Sequence, residues 1–340
     1  MTRYVVVGAG AVGGALGGRL VHAGRATVLV ARGEHLRALQ TAGLRLRTPD
    51  EDLTLPVRAV DGPEELTLGA DDVLVMATKT QQVRAALAAW ADAPVHHDGR
   101  EIGTAGERLP VLTALNGVAS ETMALRYFQR VYGVCVWMPA VHLVPGEVIL
   151  RSTPRSGVLH VGRVPAGEDV TDGRLLDQVE ADWTAANYDV PRPADVMAWK
   201  YRKLISNLGN VFQALLGGAV DVGPLVARAD AEARTVLDGA GIAYTSDEDE
   251  SAARAAGFTM HPVPGVPADV GGSTWQSLQR ATGNVETDYL NGEIALIAHQ
   301  TGQSAPVNTR LASLARRAAA TGQRPGELGV DELARLLGLD

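Results

Sequence analysis

One amine and two amides recur at helical spacing in the second half of the chain. Lys203, Asn207 and Asn210 stand at positions i, i+4 and i+7 of a helix-rich stretch, and this spacing places them on one helix face. Asparagine lowers helix propensity and adds no charge, so an ordinary solvated face would not favour two of them. An amine can donate a proton, and amides can hold carboxylate or carbonyl oxygens. This face is therefore a candidate site for a small, oxygen-rich molecule.

Two further polar positions follow along the chain. Gly271 and Gly272 lead into Ser273 and Thr274, a pattern typical of a loop entering a helix, and Glu286 lies farther on in the same helical stretch. Taken singly, each of these side chains is explained equally well by a solvated face or a helix cap. On a continuous helix the threonine and the glutamate would be about 18 Å apart. Both can reach one small molecule only if the helix starts later or bends near the glycine at position 283.

The beginning of the chain carries a dinucleotide-binding pattern. An apolar run from Tyr4 to Val7 leads into Gly8-Ala9-Gly10-Ala11-Val12-Gly13 and then into a helical pattern. In a G-x-G-x-x-G loop between strand and helix, the first glycine permits the turn. The second admits a pyrophosphate, and the third lets the helix pack on the strand. The helix N-terminus would then face the phosphates. All six loop residues are candidate cofactor contacts, and the alternative is a glycine-rich turn without a ligand.

The residue after the second predicted strand indicates which dinucleotide is bound. NAD-specific sites place an acidic residue there to accept bonds from the ribose 2′-OH. This chain has Arg32, followed by Gly33 and Glu34. A guanidinium suits a 2′-phosphate, which it can hold through two charge-assisted bonds. The sequence therefore favours NADP over NAD, the alternative being a solvated arginine with Glu34 turned back to the ribose.

Buried strands alternate with helices in the first half and give way to helices in the second. Predicted strands lie at 26–31, 44–47, 71–77, 109–115, 132–141 and 157–162, with helices at 34–42, 81–91 and 173–187. Later helices are predicted at 195–216, 224–240, 275–301, 311–320 and 330–337, with another capped near 246–250. The fold class is α/β, a doubly wound Rossmann-type sheet over residues 1–192 followed by an all-α domain over 193–340. The active site is expected in the cleft between the two.

Composition excludes several classes of protein. The 340 residues are 46% hydrophobic, with a net charge of −8 and without a basic cluster, which argues against nucleic-acid binding. No apolar run approaches the roughly 20 residues of a membrane span, and we expect no signal peptide and a cytoplasmic location. A single cysteine, Cys135, lies in a strand-like run, where a structural role is favoured over a nucleophile. Residues 92–109 are predicted to be an exposed insertion, and adjacent His96 and His97 give no metal site.

These features together resemble the ketopantoate reductase (2-dehydropantoate 2-reductase) family over almost the whole chain. The matching positions are the glycine loop at Gly8, then Arg32, Lys79, Asn116-Gly117, Lys203-Leu204 with Asn207, and Glu286 with Asp288 and Asn291-Gly292. The resemblance implies reduction of a 2-oxo acid to a 2-hydroxy acid with NADPH, in pantothenate biosynthesis. It makes Lys203 the general acid and Glu286 a second catalytic residue. It also makes Asn207 and Thr274 substrate contacts, and Arg32, Lys79 and Asn116 cofactor contacts. Three further candidate substrate contacts are Asn116, Ser273 beside Thr274, and Asn210 on the face with Lys203 and Asn207.

The implied proton donor agrees with elementary chemistry. When hydride reaches a ketone carbon, negative charge develops on the oxygen, and a cationic Lys203 would stabilise this charge and deliver the proton. The pKa of a free lysine is about 10.4, so burial should lower the pKa of this amine toward the working pH. A nearby Glu286 would oppose that fall, and it could instead orient the amine or hold a substrate hydroxyl.

The chain departs from the family pattern on the lysine helix. The family's second asparagine would fall at Val211, whereas this chain has Asn210, one residue earlier and about 100° around a helix. Together with the 92–109 segment, this predicts a relative with a reshaped pocket. Alternatives are another dehydrogenase of the same layout, of opine or glycerol-3-phosphate type, or a nucleotide sensor without turnover. Apolar faces between Leu311 and Leu337 fit either a homodimer or core packing.

Overall fold

The computed structural model describes residues 2–167, 170–217, 222–267, 271–279, 283 and 285–338. By internal contacts the chain divides into two compact units. The first comprises residues 1–116, 120–199 and 246–266, and the second comprises residues 117–119, 200–245 and 267–340. The predicted class, a parallel α/β sheet followed by a helical part, is confirmed.

Strands and helices alternate through the first half of the chain. In order they are β1 (Arg3–Val7), α1 (Ala11–His22), β2 (Thr27–Val30), α2 (Gly33–Ala42), β3 (Leu44–Arg47), β4 (Asp52–Leu55), β5 (Arg58–Val60), a 3₁₀ helix (Pro63–Glu65), β6 (Leu68–Gly69), β7 (Asp72–Met76), α3 (Thr80–Ala91), β8 (Pro94–His97), β9 (Arg100–Thr104), α4 (Ala105–Arg108), β10 (Pro110–Thr113), α5 (Ala119–Ala124), β11 (Arg130–Trp137), β12 (Ala140–Val141), β13 (Glu147–Leu150), β14 (Ser152–Pro154) and β15 (Val158–Val164).

Helices predominate in the remainder. They are α6 (Val170–Ala185), α7 (Val196–Asn207), α8 (Asn210–Leu216), α9 (Gly223–Gly239), α10 (Asp247–Gly257), the short strand β16 (Phe258–Met260), α11 (Ser273–Gln279), a second 3₁₀ helix (Glu286–Tyr289), α12 (Asn291–Gln300), α13 (Pro306–Thr321) and α14 (Val330–Leu337). The predicted cap of α10 is confirmed, since Ser246 Oγ accepts a hydrogen bond from the Asp249 N–H at 3.0 Å. Among the described helices none is long and apolar enough to cross a membrane.

The central sheet of the first unit has the order β15-β11-β10-β7-β1-β2-β5. All neighbouring strands are parallel except the edge pair β11 and β15. Runs such as Val5-Val6-Val7 and Val73-Leu74-Val75 are wholly buried, as expected for parallel strands covered on both faces. Chain order reverses between β1 and β7, and in open parallel sheets ligands bind beyond the carboxyl ends of the strands at such a point.

Helix α1 lies between this sheet and a smaller one of order β12-β13-β3-β4. Glycines on the helix allow both approaches. A Cβ placed at Gly17 would lie 2.2 Å from a methyl of Leu29 on β2, and a Cβ at Gly14 would lie 2.7 Å from a methyl of Val148 on β13. Side chains at these positions would overpack both interfaces. The glycine content of α1 therefore extends beyond the nucleotide motif because two sheets press on the same helix.

The segment from 92 to 109 is not the exposed insertion that its polarity predicts. Strands β8 and β9 pair as an antiparallel hairpin, and β8 also pairs with β6. Val95, Ala105 and Leu109 are buried and belong to the core on one face of the central sheet. A few apolar residues spaced within a polar stretch thus anchor it, and the prediction was wrong because the overall polarity and glycine content of the stretch do not reveal them.

The first unit extends past the predicted boundary at residues 192 and 193. Trp199 stacks on His160 with ring centroids 3.8 Å apart, and its carbonyl accepts a hydrogen bond from Cys135 Sγ at 3.4 Å. Residues 246–266 also return to the first unit, where β16 pairs antiparallel with β14. The chain therefore passes between units inside α7, and Cys135 is a buried strand residue, as predicted.

The second unit is helical throughout its described residues and has its own core. Phe212, Leu215, Leu311 and Leu333 are buried in one cluster, which accounts for the apolar faces of the last two helices. Beside it lies a buried series of hydrogen bonds, in which Asn291 Nδ2 donates to Asn308 Oδ1 at 2.9 Å. Asn308 Nδ2 donates in turn to the Ala229 carbonyl at 3.0 Å. These hydrogen bonds connect helices α9, α12 and α13 to one another.

Candidate active site

The glycine loop lies against the end of β7, at the point where strand order reverses. Gly8 has a φ of +104°, a conformation that side chains rarely adopt. A Cβ there would lie 2.7 Å from the Thr78 backbone nitrogen. The backbone N–H groups of Gly8 and Ala9 both donate to the Val30 carbonyl, at 3.1 and 2.9 Å. The loop is thus held between β2 and β7 by contacts that leave no room for a side chain at position 8.

The other two motif glycines differ in what surrounds them. A Cβ at Gly13 would lie 2.1 Å from the Gly8 carbonyl oxygen and 2.9 Å from Ala77 Cβ, whereas a Cβ at Gly10 would meet no described protein atom within 4 Å. Protein packing therefore requires glycine at position 13 and not at position 10. Open space beside the backbone at Gly10 is the feature that a pyrophosphate would use.

The N-terminus of α1 is suited to a phosphate. Gly10 is its N-cap in an extended conformation, no side chain caps the helix, and the first turn, which begins with Ala11 and Val12, contains no acidic residue. The partial positive charge of the helix end is thus opposed by no carboxylate of its own. The residues present fit a bound dinucleotide.

Arg32 follows β2 and is the N-cap of α2. Its side chain is 85% exposed, and its Nε lies 3.5 Å from Asp61 Oδ1. Glu34 lies 4.0 Å from Arg37, one helical turn along α2. The guanidinium is therefore available at the carboxyl end of the sheet, where its one ion pair within the described part of the chain is solvent-exposed and of small energy.

Lys79 and Asn116 lie at the carboxyl ends of two neighbouring strands. Lys79 is the N-cap of α3 directly after β7, and Asn116 follows β10. Thr80 Oγ1 donates to the Asn116 carbonyl at 3.4 Å, which joins the two loops. Thr78, which the sequence did not single out, has a buried hydroxyl without a hydrogen-bond partner among the described residues. Its position one residue before Lys79 at a strand end was the available signal.

In the second unit the predicted polar face is divided between two helices. Helix α7 ends at Asn207 and α8 begins at Asn210, so the prediction of one helix from 195 to 216 was wrong. Gly209 stands in the break, and the buried Asn291 Nδ2 donates to the Leu208 carbonyl there, at 3.5 Å. Lys203 and Asn207 remain one turn apart on α7. Asn210 stays beside them because its Nδ2 donates to Asn207 Oδ1 at 3.4 Å.

The break also bears on the position where the family pattern places an asparagine. Val211 is 1% exposed and belongs to the helical core, so a polar side chain at this point would face apolar neighbours. Asn210 is partly exposed and is in contact with Asn207. The structure therefore brings Asn210, and not residue 211, to the polar face.

The loop before α11 packs on this face. The Gly272 N–H donates to Gln213 Oε1 at 2.8 Å, and a Cβ at Gly272 would lie 3.4 Å from Asn210 Oδ1. Thr274 in the first turn of α11 is 2% exposed, and its Oγ1 has no hydrogen-bond partner among the described residues. Ser273 begins α11, and its side chain lies outside the described part. Gln213, three residues after Asn210, was missed although its helical spacing matched.

Glu286 does not share a helix with Thr274. It begins a 3₁₀ helix, it is 7% exposed, and Gly283 between the two helices has a φ of +72°. The helical stretch predicted from 275 to 301 is therefore not one continuous helix, and Gly283, where a bend was expected, lies between its parts. The separation of about 18 Å that a straight helix would impose no longer applies. Within the described residues no group of three His, Cys, Asp or Glu side chains could hold a metal ion.

Two family models match the chain. The model described as "Ketopantoate reductase PanE/ApbA" matches residues 4–166. The model described as "Ketopantoate reductase PanE/ApbA C terminal" matches residues 195–319. The first match includes the glycine loop, Arg32, Lys79 and Asn116, and the second includes the polar positions of the helical unit.

Among curated proteins the chain is similar to 2-dehydropantoate 2-reductases. The protein of Mesorhizobium japonicum is 45% identical over 86 residues, 25% of this chain and 26% of that protein. The protein of Pyrococcus abyssi is 26% identical over 206 residues, 60% of this chain and 61% of that protein. The chain thus aligns with between a quarter and three fifths of the length of these curated relatives.

Solved structures share the fold over nearly the whole chain. A PanE/ApbA family ketopantoate reductase from Ralstonia eutropha is 26% identical with a TM-score of 0.74, covering 95% of this chain and 100% of that one. A D-mandelate dehydrogenase, at 18% identity and a TM-score of 0.75 over 95% of this chain and 99% of that one, shares the fold. Since the two family models together account for both units, the chain belongs to the ketopantoate reductase family.

Proposed function

We propose that this protein reduces a 2-oxo acid, ketopantoate or a related compound, to the 2-hydroxy acid with NADPH. The observation that carries the proposal is the buried Thr274 hydroxyl, which has no hydrogen-bond partner among the described residues and lies close to a face that holds Asn207 and Asn210. A buried hydroxyl left without a hydrogen bond costs about 1–3 kcal/mol, and a bound carboxylate would satisfy it. The names of the curated relatives support the same reaction.

The first unit would hold the cofactor. The backbone of residues 8–13 would bind the pyrophosphate at the N-terminus of α1, where the space at Gly10 is open. Arg32 would hold a 2′-phosphate, and Lys79 and Asn116 would contact the cofactor from the next two strand ends. A bound nicotinamide supplies the hydride for the carbonyl carbon.

The second unit would bind the acid and supply the proton. Asn207, Asn210 and the Ser273-Thr274 pair carry neutral donors, which can hold a carboxylate without competing for the proton. Lys203, one helical turn from Asn207, would stabilise the developing negative charge on the carbonyl oxygen and donate a proton to it. The buried carboxylate of Glu286 would orient the lysine or a substrate hydroxyl. We also propose a cytoplasmic location, which a single, buried cysteine supports, because one cysteine cannot form a disulfide within the chain.

The test is steady-state reduction of ketopantoate and a panel of 2-oxo acids, followed by nicotinamide absorbance with NADPH and NADH in parallel. We expect turnover with NADPH, reduced by about 10²- to 10⁴-fold in Lys203→Ala, the range for losing a general acid. Lys203→Arg keeps the charge but gives up a proton poorly, so its turnover should also be low while its substrate KM stays near that of the wild type.

Cofactor affinity separates this proposal from its alternatives. Both lysine variants should bind NADPH as the unchanged protein does, because the loop of residues 8–13 is intact. Tight NADPH binding without turnover of any 2-oxo acid would contradict the proposed reaction. It would favour a sensor or a dehydrogenase acting on bulkier carbonyl compounds.

A further inference from the structure

His35 on α2 contacts the dinucleotide loop from outside the glycine motif. Its Nε2 lies 2.7 Å from the Ala9 carbonyl oxygen. Its Nδ1 lies 2.9 Å from the backbone nitrogen of Gly146, in the turn between β12 and β13. One partly buried imidazole therefore bridges the loop and a segment more than a hundred residues away.

The two partners determine the protonation state of the ring. The Ala9 carbonyl can only accept, so Nε2 must carry the hydrogen and donate. The Gly146 N–H can only donate, so Nδ1 must be unprotonated and accept. Only the neutral Nε2–H tautomer makes both bonds. Burial lowers the pKa of His35, outweighing the opposite effect of the bond to the Ala9 carbonyl, and this favours the same neutral form.

Close packing keeps the ring in place. His142 lies against His35 with ring centroids 4.3 Å apart, and its Nδ1 is 2.9 Å from the Glu147 carbonyl oxygen. Gly146 has a φ of +82°, and a Cβ there would lie 3.0 Å from Ala38 Cβ. The turn thus packs closely on α2, and this packing fixes the distance between the Ala9 carbonyl and the Gly146 N–H that the imidazole bridges.

A carbonyl held in one direction also fixes the amide beyond it. In a trans peptide the C=O and the following N–H point in opposite directions. The bond from His35 to the Ala9 carbonyl therefore sets the direction of the Gly10 N–H. Gly10 has no side chain to resist rotation of this peptide, so an external bond is needed to keep one orientation.

We propose that His35 is a positioning residue for the cofactor, which orients the peptide between Ala9 and Gly10 so that the Gly10 N–H faces the pyrophosphate. This inference rests on the proposed dinucleotide site. In a rigid loop the amide is already aligned when the cofactor arrives, so less binding free energy is spent on ordering. Losing the bond should weaken cofactor binding and leave the chemical step at saturating cofactor unchanged.

Two amide substitutions distinguish the two bonds of the ring. In His35→Gln the longer side chain places an amide near the position of Nε2, so it can still donate to the Ala9 carbonyl. In His35→Asn the shorter side chain reaches only the position of Nδ1, which serves Gly146. We expect NADPH dissociation constants about tenfold higher for His35→Ala and His35→Asn, and within about threefold of wild type for His35→Gln. One hydrogen bond of ordinary strength corresponds to a tenfold effect.

Binding is measured by nicotinamide fluorescence titration, with kcat at saturating NADPH and thermal melting recorded on the same samples. His22→Ala is the control, because this exposed histidine lies at the C-terminal end of α1, away from the loop. The NADPH dissociation constant of this variant should equal that of the wild type. His35→Ala binding as tightly as wild type, or Gln no better than Asn, overturns the inference. A wild-type protein that binds neither NADPH nor NADH overturns the proposed function and this inference with it.

Discussion

At the residue scale, Gly10 is a position where the effects of a substitution on stability and on cofactor binding can be measured separately. A Cβ there meets no described protein atom within 4 Å, and its φ of −71° suits any residue. We expect Gly10→Ala to leave the free energy of unfolding within about 0.5 kcal/mol of wild type, since alanine also restricts the unfolded chain. The methyl group would occupy the space needed by a pyrophosphate, so the dissociation constant for NADPH should rise at least about tenfold.

Gly13→Ala is the matched variant of that experiment. Its Cβ would lie 2.1 Å from the Gly8 carbonyl oxygen, so α1 must move away from β1 at a cost of about 1–3 kcal/mol of stability. Chemical denaturation of both variants, with fluorescence titration of the cofactor, gives the comparison. If Gly10→Ala bound NADPH normally, the open space beside the loop would not be the pyrophosphate site.

Arg32 carries the prediction on cofactor choice. Its guanidinium follows β2, and its nearest acidic partner, Asp61, is itself 56% exposed, so a 2′-phosphate can displace this ion pair at little cost. We expect Arg32→Ala to weaken NADPH binding about tenfold, less than a buried charge-assisted bond would imply because the site faces solvent. NADH has no 2′-phosphate, and its affinity should be unchanged.

Arg37→Ala tests whether the effect is specific. Arg37 lies on the same helix, is 73% exposed and pairs weakly with Glu34, so its loss changes the net charge by the same amount. Titration at two salt concentrations separates general charge effects from a direct contact. Equal losses of affinity for NADPH and NADH in Arg32→Ala would contradict the assignment of the 2′-phosphate contact.

At the scale of the elements, the buried imidazole of His160 connects β15 to the first turn of α7, where it stacks on Trp199. His160 is 1% exposed, and burial lowers its pKa from 6.5 to about 4. The folded protein thus binds fewer protons than the unfolded chain between these values. The contribution to stability is fully present above pH about 6.5 and is lost as the pH falls through about 4, by about 3 kcal/mol in all.

His160→Phe isolates this contribution. Phenylalanine can keep the stacking on Trp199, whose ring centroid lies 3.8 Å from that of His160, and it does not titrate. Urea unfolding of both proteins at several pH values between about 4 and 7 should therefore show a smaller acid loss of stability in the variant. Parallel pH profiles in the two proteins would show that His160 is not held neutral by burial.

The elements also show which features a sequence can predict. Buried runs such as 72–76 and the loop from Gly8 to Gly13 lie where their local patterns placed them, because continuous apolar runs and glycine turns are features of a few neighbouring residues. The break after Asn207 and the division before Glu286 depend on distant groups. The carbonyl of Leu208, freed at the break, is satisfied by Asn291, some eighty residues later. Helical periodicity does not contain that information, and Gly209 and Gly283 were the local signals.

The site residues follow the same rule. Lys203, Asn207 and Asn210 were found because helical spacing groups them. His35 was missed since its two partners, Ala9 and Gly146, lie on other elements. The only local signal was the position of His35 in the first turn of the helix that follows β2, close to the predicted glycine loop.

At the scale of the whole molecule, the choice between the two basic residues is informative. Of the 31 lysines and arginines, only Lys79, Lys200 and Lys203 are lysines. Arginine does not give up its proton in proteins, whereas the pKa of lysine responds to its surroundings. A chain that otherwise uses arginine keeps one lysine at a strand end beside the glycine loop and two on α7. This distribution supports a proton-donating role on α7 on grounds independent of family resemblance.

The tryptophans allow the two units to be followed separately during unfolding. Four of the five, Trp90, Trp137, Trp183 and Trp199, lie in the first unit, and only Trp275 lies in the second. The fluorescence of Trp275→Phe therefore reports the first unit alone, and its difference from the wild-type signal reports the second. All proposed pyrophosphate contacts lie in the first unit, so a bound cofactor should stabilise that unit directly.

We expect oxidised NADP, at a hundred times its dissociation constant, to raise the free energy of unfolding seen by Trp275→Phe by about 2.7 kcal/mol. The oxidised form is chosen because it does not fluoresce, and the measurement is urea unfolding with and without cofactor. Gly10→Ala in the same background is the control, and its midpoint should move less at the same cofactor concentration. If saturating cofactor left the midpoint of Trp275→Phe unchanged, the loop of residues 8–13 would not be the binding site, because a ligand that binds only the native state must stabilise the unit that holds it.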